Sequence, residues 1–352
     1  MTLAPLLNTL HSRRSVDCLW RLPGGSIIGL LVPILLIPFG QSLYLPAACA
    51  QDEAPTTTEY RDDFVFTRDG VKLYYRFYPG RADKETVPII LIHDWEGAGS
   101  DMYPLAEFLS ATDAGEEEET KAPGHAVIVP DVRGHGRSTE ITLRPGAEPE
   151  EIRADKMRPA DVQAVVPGDL QAVKKILREQ HNAGKLNIEL LGVVGVGNST
   201  PIAVNWALFD WSVRPLPSYK LGQYVKAIAL VSPVAAFKGL RLQPALTRGP
   251  IGSDQVSILL VYGAQDAQQE SAASRLFSIL KRRHPQDLET REERLEKQSL
   301  FDRPLDTSLA GMKLLAGPGL STSSDIAAFI NLRLANKKDE HRWEPRENPL
   351  SD

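Results

Sequence analysis

The stretch that decides the fold is LNIELLGVVGVGNSTPIAVNWALFD, residues 186–210. Its first half is an apolar run of strand length, and its second half has the length and small residues of a helix. The turn between them reads GVGNS (195–199). Many hydrolytic enzymes hold a nucleophilic serine on such a turn, with a glycine two residues to either side. Here Gly197 takes the serine's place, which raises the question of whether this chain is an enzyme.

Apolar strand patterns and helical patterns alternate on both sides of this stretch. This alternation predicts an α/β fold, with a mostly parallel central sheet of about eight strands and helices on both faces. The interval between the strands at 225–233 and 256–263 is too short for a large cap domain. The other predicted strands are a pair within 64–80, then 87–93, 125–130, 186–194 and a short last strand at 312–316; the helices are 102–111, 168–180, one from Thr200, 269–284 and 323–334.

Composition narrows the class of protein. The chain has 352 residues, 42% hydrophobic and 24% charged, which is enough for one large globular domain. The net charge is −5 and no basic block occurs, so nucleic acid is not an expected partner. The predicted divisions are a leader at 1–50, a polar linker at 51–62, the main domain at 63–335 and a polar tail at 336–352.

The leader has the pattern of a secretory signal. Three arginines precede an uncharged apolar run at 26–39, and small residues follow at Ala48 and Ala50. This order predicts export to the periplasm or the extracellular space, with cleavage after Ala50. The alternative is an uncleaved membrane anchor, because the run is nearly long enough to span a bilayer. Both cysteines of the chain lie in the leader, so a cleaved chain could form no disulfide.

Four segments of the chain resemble the α/β-hydrolase family and occur in the family's order. The resemblance covers roughly residues 63–334 and implies that family's fold. Its most specific part is VPDVRGHGRS (129–138), which is similar to the family's Asp-x-Arg-Gly-His-Gly-x-Ser turn, located after the strand that follows the oxyanion-loop segment. Residues 87–109 resemble the oxyanion-loop segment, and residues 190–207 resemble the strand and helix around the nucleophile. Residues 259–266 resemble the strand that presents the triad acid.

The resemblance places Gly197 at the nucleophile position, where the serine is lost. Counting from Gly197, small residues recur six and ten places later, at Ala203 and Ala207, as in helices that pack closely on a sheet. The alternative nucleophile is Ser199, which would put Pro201 at the second glycine of the motif. If Gly197 is at the nucleophile position, Ser199 is interpreted as a hydroxyl near a helix N-terminus.

The base and the acid that would activate a nucleophile are also incomplete in the sequence. Acyl transfer on this fold needs a histidine as base and a carboxylate that orients it. The loop predicted to carry the base, 316–325, contains no histidine. His284 and His341 are interpreted as a helix cap and a solvated tail residue. Asp266 takes the position of the triad acid, and its alternative interpretation is a helix-cap aspartate.

The expected oxyanion loop and cleft contain His93, Asp94, Trp95, Val196 and Asn198. Asp94 stands where the family usually has glycine, and a carboxylate there would oppose a developing oxyanion. His93 and the histidine of the RGHG turn are expected to hold loops by hydrogen bonds. No two histidines have the spacing of a zinc site, so neither a metal nor another cofactor is expected.

The leading interpretation is an exported protein of the α/β-hydrolase fold that has lost the Ser-His-Asp chemistry. Such a protein would bind a small ligand or a protein partner in the former active-site cleft. One alternative is an active serine hydrolase of ester or peptide bonds that uses Ser199 with a displaced histidine. Another is a membrane-tethered envelope scaffold, in which contact with the membrane would come only through an uncleaved leader.

Overall fold

The computed structural model describes residues 59–111, 124–215, 219–284 and 288–346. The predicted leader, most of the predicted linker and the end of the predicted tail lie outside the described residues. Within the described part of the chain, no helix combines the length and the apolar character needed to cross a membrane.

One eight-stranded sheet forms the centre of the described residues, as predicted. The strands are β1 (Arg61–Phe66), β2 (Lys72–Tyr78), β3 (Pro88–Ile92), β4 (Ala126–Pro130), β5 (Leu191–Val196), β6 (Val225–Val231), β7 (Ser257–Gly263) and β8 (Leu300–Leu305). Their order in the sheet is β1-β2-β4-β3-β5-β6-β7-β8. The first two pairings, β1 with β2 and β2 with β4, are antiparallel, and all the others are parallel.

Helices cover both faces of this sheet. The third to the seventh strands are apolar throughout most of their length, because their two faces contact two separate hydrophobic clusters. The helices are α1 (Tyr103–Ser110), α2 (Pro159–Gln163), α3 (Asp169–Asn182), α4 (Thr200–Ser212), α5 (Leu242–Leu246), α6 (Ala267–Leu280), α7 (Arg291–Lys297), α8 (Met312–Ala316) and α9 (Thr322–Arg333). Helices α3, α4 and α6 pack on one of the two clusters, and α1, α8 and α9 pack on the other.

The interval between β6 and β7 is short, and all of its residues are described. It contains a hairpin of two short strands, Ala236–Phe237 and Leu240–Arg241, which is followed by α5. This agrees with the prediction that no large cap domain is inserted at this point.

The last strand was predicted at the wrong place. Residues 294–306, where no strand was predicted, contain the end of α7 and all of β8. Pro304 argues against a strand in general, yet β8 is the edge strand of the sheet, where a proline removes no ladder hydrogen bond. The predicted strand at 312–316 is the short helix α8. The loop after the last strand is therefore Asp306–Gly311, and not 316–325.

A buried arginine fixes the turn at 129–138. The side chain of Arg133 is 5% exposed. It donates hydrogen bonds to both oxygens of Asp69, and its Nε and Nη2 donate to Asp169 at 2.8 and 2.6 Å. Asp169 is the first residue of α3 and has no exposed side-chain surface. The ion pair therefore ties this turn to a helix in the core.

The described part of the C-terminal tail contacts the main domain. Trp343 stacks on His181 with ring centroids 5.0 Å apart, and Arg346 pairs with Glu189 at 2.9 Å. His341 is half-buried, and its carbonyl accepts a hydrogen bond from a side-chain amide of the domain. The interpretation of His341 as a solvated residue is therefore wrong.

Candidate functional site

A cleft of about 760 Å³ lies at the carboxyl ends of the central strands. In open α/β sheets this edge is where ligands bind. The loops after β3, β5, β6 and β8 all contribute to the cleft. Among the residues that line it are Asp94, Gly197, Asn198, Ser232, Gln269 and Gly311.

Gly197 begins the tight turn between β5 and α4. Val196, the last residue of β5, is fully buried, and Gly197 has φ = +52°. This left-handed conformation is the strained one that a residue on a nucleophile turn adopts, and glycine adopts it without cost. Gly195 lets α4 approach the strand, since a Cβ there would lie 2.9 Å from the Cβ of Ala203. The local backbone therefore has the shape of a nucleophile turn without its side chain.

The carboxylate of Asp94 occupies the space where a nucleophile side chain would begin. A Cβ built on Gly197 would lie 2.0 Å from Asp94 Oδ2 and 2.6 Å from Asp94 Cγ. These distances are far below van der Waals contact. A serine at residue 197 and the observed position of Asp94 are therefore mutually exclusive.

Asp94 also uses a backbone donor of the turn. The N–H of Asn198 donates a hydrogen bond to Asp94 Oδ1 at 3.0 Å. In hydrolases of this fold, the N–H of the residue after the nucleophile belongs to the oxyanion hole. Burial raises the pKa of the Asp94 carboxyl, and the Asn198 hydrogen bond opposes that rise. The donor that would stabilise a developing oxyanion is here bound to the protein's own side chain.

The loop after β8 brings a second glycine to the same point. This loop, Asp306–Gly311, contains no histidine, as was also true of the loop predicted to carry the base. A Cβ on Gly311 would lie 3.0 Å from Asp94 Oδ2. The N–H of Gly311 donates to Ser232 Oγ at 2.8 Å. Gly311 was not among the predicted site residues, because the last strand was predicted too late in the chain.

Ser199, the alternative nucleophile, points away from the cleft. It is 1% exposed and precedes α4, and it is not among the residues that line the cleft. Within the described residues, its Oγ has no hydrogen-bond partner, and so no histidine nitrogen lies in position to take its proton.

Asp266 acts as the N-terminal cap of α6. Its Oδ1 accepts hydrogen bonds from the N–H groups of Gln268 and Gln269 at 2.9 and 3.0 Å. These backbone hydrogen bonds, with that of Gln269 the larger, lower the pKa of the Asp266 carboxyl. This is the geometry of an aspartate cap, which satisfies the free N–H groups of the first helical turn.

His93, Trp95 and His135 form a buried layer beneath the cleft. The His93 ring is fully buried, with Nδ1 2.8 Å from the carbonyl of Asp94 and Nε2 accepting from the N–H of Val132. His135 Nε2 donates to the carbonyl of Trp95 at 2.6 Å, and the two rings pack edge to face. These hydrogen bonds hold the loops that follow β3 and β4.

His284 is also buried, at 4% exposure, and its Nδ1 contacts Ser299 Oγ at 2.7 Å. The interpretation of His284 as a surface helix cap is therefore wrong. Among the described residues, no group of three or more His, Cys, Asp or Glu side chains could hold a metal ion.

The buried histidines predict a loss of stability at mildly acidic pH. Burial, with a smaller contribution from His135, lowers the pKa of His93 to about 4, against about 6.5 in an unfolded chain. Between these values the unfolded chain binds more protons, so the free energy of unfolding falls as the pH decreases. We expect His93 alone to contribute up to about 1.4 kcal/mol per pH unit. Urea unfolding from pH 6.5 to pH 5 measures this slope.

The matched control is His93→Gln, which removes the titrating ring. Burial also lowers the pKa of His125 and of His284 to about 4, so these two histidines keep part of the slope in the variant. We expect a shallower pH dependence for His93→Gln than for the wild type. Equal slopes for the two proteins would contradict the assignment of a neutral His93.

Of the comparisons with known proteins, only that with solved structures bears on the fold. No family model and no curated protein matches the chain. Among solved structures, the Pyrococcus furiosus esterase PF2001 aligns with a TM-score of 0.51 and 16% identity, over 79% of this chain and 92% of that one. A Pyrobaculum calidifontis esterase aligns with a TM-score of 0.49 and 14% identity, over 77% and 84% of the two chains.

Sequence identities this low support a statement about the fold but not about the activity, because one fold can host many functions. The strand order, the helices on both faces and the turn between β5 and α4 agree with the likeness to the Pyrococcus esterase. The described residues of this chain have the α/β-hydrolase fold.

Proposed function

We propose that this protein does not hydrolyse substrates through a serine, and that it binds a ligand or a protein partner in the cleft. The observation that carries the proposal is the position of Asp94. Its Oδ2 lies 2.0 Å from the point where a side chain on residue 197 would begin. Its Oδ1 accepts the hydrogen bond of the Asn198 N–H. One carboxylate thus replaces the nucleophile and occupies a donor of the oxyanion hole.

The expected loss of catalytic rate supports the proposal that this protein is not a serine hydrolase. Loss of the nucleophile or the base of a serine triad costs on the order of 10⁶ in kcat. Glycine stands at residue 197, and the loop after the last strand, Asp306–Gly311, contains no histidine. Asp266, which takes the place of the triad acid, caps a helix. Substrate positioning alone does not offset a deficit of this size.

The cleft itself has the dimensions of a binding site. Its volume of about 760 Å³ lies within the usual range for small-molecule sites, about 300–1,000 Å³. Asp94, Glu96, Asp101 and Lys313 are charged residues among those that line it. The secretory pattern of residues 1–50 leads us to propose that the ligand or partner is met outside the cytoplasm.

The competing function is an active serine hydrolase of ester or peptide bonds. It requires Ser199 Oγ to turn into the cleft and a histidine to reach it. Because Ser199 is 1% exposed and joins β5 to α4, this change would require the turn itself to rearrange. A binding protein and a serine hydrolase therefore predict different reactivity for the Ser199 hydroxyl.

Labelling with a fluorophosphonate probe separates the two functions. We expect no labelling of the purified mature protein above the level of its Ser199→Ala variant or of heat-denatured protein, because a serine without a base stays unreactive. Labelling of the wild type that Ser199→Ala abolishes would overturn the proposal. The mass of the same purified chain reports whether the leader is cleaved after Ala50.

A further inference from the structure

The charged residues that line the cleft differ in how strongly solvent screens them. Glu96, Asp101 and Lys313 are exposed, so water and salt screen their charges. Asp94 is half-buried between the ends of β3 and β5. Its carboxylate is therefore the charge that a ligand in the cleft meets with the least screening.

One oxygen of Asp94 lies between two glycines of the cleft. Oδ1 accepts the hydrogen bond of the Asn198 N–H at 3.0 Å. Oδ2 lies 2.0 and 3.0 Å from the points where a Cβ on Gly197 and on Gly311 would be. Both glycines line the cleft, and neither has a side chain that could cover this oxygen.

The negative charge of Asp94 has no partner of opposite sign in the part of the chain that the structure describes. No lysine, arginine or histidine there forms an ion pair with it. Burial raises the pKa of the carboxyl, the N–H groups of Asn198 and Trp95 oppose that rise, and the charge of Glu96 adds to it. Because a partly buried charge without a counter-ion is costly, a cation beside Oδ2 would be stabilising.

A buried serine brings a hydrogen-bond donor to the same part of the cleft. Ser232 follows β6, is 5% exposed and has φ = +50°, a left-handed conformation that is unfavourable for a residue with a side chain. Its Oγ accepts the hydrogen bond of the Gly311 N–H at 2.8 Å. Among the described residues, no acceptor takes the hydroxyl proton. Since Ser232 lines the cleft, this proton is available to a ligand.

Gly311 brings these two groups close together. Ser232 Oγ contacts the N–H of Gly311, and Asp94 Oδ2 approaches the Cβ position of the same glycine. The two oxygens are therefore no more than about 8 Å apart. One small molecule can span this distance with a hydrogen bond at each end.

We propose that the ligand of the cleft carries a protonated amine with a hydrogen-bond acceptor beside it. The ammonium group pairs with Asp94 Oδ2, and the acceptor receives the hydrogen bond of the Ser232 hydroxyl. Charge-assisted hydrogen bonds of the first kind are stronger than neutral ones. This class of ligand rests on the binding function proposed above for the same cleft.

Two probes of the same shape test the amine. Calorimetry with the purified protein compares 2-phenylethylamine with 2-phenylethanol, whose rings suit the apolar part of the lining, which includes Leu309 and Met312. We expect the amine to bind at least tenfold more tightly. Asp94→Asn, whose amide oxygen still accepts from the Asn198 N–H, should abolish this preference. Asp155→Asn is the matched control, because it changes the net charge equally at an exposed carboxylate outside the cleft.

The comparison of the two probes in the wild type needs no variant, so it does not depend on how Asp94→Asn folds. Equal Kd values for the amine and the alcohol, or no binding of the amine at millimolar concentration, would overturn the proposed ligand class. So would an amine preference that persists in Asp94→Asn. Fluorophosphonate labelling of Ser199 would instead overturn the binding function on which the ligand class rests.

A third probe tests the serine. Phenylalaninol adds a hydroxyl acceptor beside the amine of 2-phenylethylamine, and we expect it to bind about threefold to tenfold more tightly than that amine. Ser232→Ala should remove this gain and keep the preference for an amine over an alcohol. The control is Ser278→Ala, because the Ser278 hydroxyl is exposed on α6 and bonds within its own helix. The same gain in Ser232→Ala as in the wild type would contradict the role of Ser232.

Discussion

Gly197→Ser is expected to lower the free energy of unfolding by about 2–5 kcal/mol. Two costs combine in this value. A left-handed backbone at φ = +52° costs a residue with a side chain about 1–3 kcal/mol. The new Cβ, 2.0 Å from Asp94 Oδ2, must also displace the carboxylate from its hydrogen bond with Asn198, at about 1–2 kcal/mol. Urea unfolding of wild type and variant measures the sum.

The two costs can be separated by a control and a double variant. Gly319→Ser is the control, because Gly319 has φ = +75° and nothing lies within 4 Å of the place where its Cβ would be. It should show the backbone cost alone. Asp94→Gly with Gly197→Ser should recover the contact cost, which gives a coupling of about 1–2 kcal/mol between the two positions. If Gly197→Ser costs the same with and without Asp94, the carboxylate does not occupy the nucleophile's place.

Asp169→Ala is expected to cost about 3–5 kcal/mol of unfolding free energy, because it leaves a buried guanidinium without its main partner. Asp169 accepts three hydrogen bonds from Arg133, one from the backbone N–H and two from the side chain. The remaining partner, Asp69, has a side chain that is 43% exposed, so it holds the charge less well. The midpoint of urea unfolding should fall without a change in slope.

A surface pair of the same two residue types serves as the control. Arg153 and Asp155 form an ion pair with side chains 52% and 61% exposed. Such a pair contributes about 0–1 kcal/mol, so Asp155→Ala should change the midpoint very little. Similar losses for Asp169→Ala and Asp155→Ala would mean that burial of the Arg133 pair adds no stability.

Much of the fold could be predicted from the sequence, because burial and chain pattern decide it. Strands such as β3 and β5 are buried on both faces and therefore appear as continuous apolar runs. The edge strand β8 was not predicted, because it is not buried on both faces. Its residues Asp302, Arg303 and Pro304 are only partly buried, so the apolar signal is interrupted where an edge strand faces solvent.

Less of the site could be predicted, because it depends on contacts between distant segments. The glycine at residue 197 and the aspartate at residue 94 are each visible as departures from a family pattern. Their contact is not visible, since it joins positions about one hundred residues apart through the ends of β3 and β5. The role of Gly311 was hidden by the misplaced last strand, and that of Ser232 by the absence of any sequence signal for its positive φ.

The contact between Asp94 and residue 197 has a consequence for how this protein can be engineered or can evolve. Of the two orders in which a serine could be installed, only one passes through an intermediate without a steric conflict. Shortening residue 94 first empties the space, and the second substitution then meets only the backbone cost. In the reverse order, the first step produces the destabilised chain. A library that randomises residue 197 alone and is selected for stability is therefore expected to be enriched in glycine.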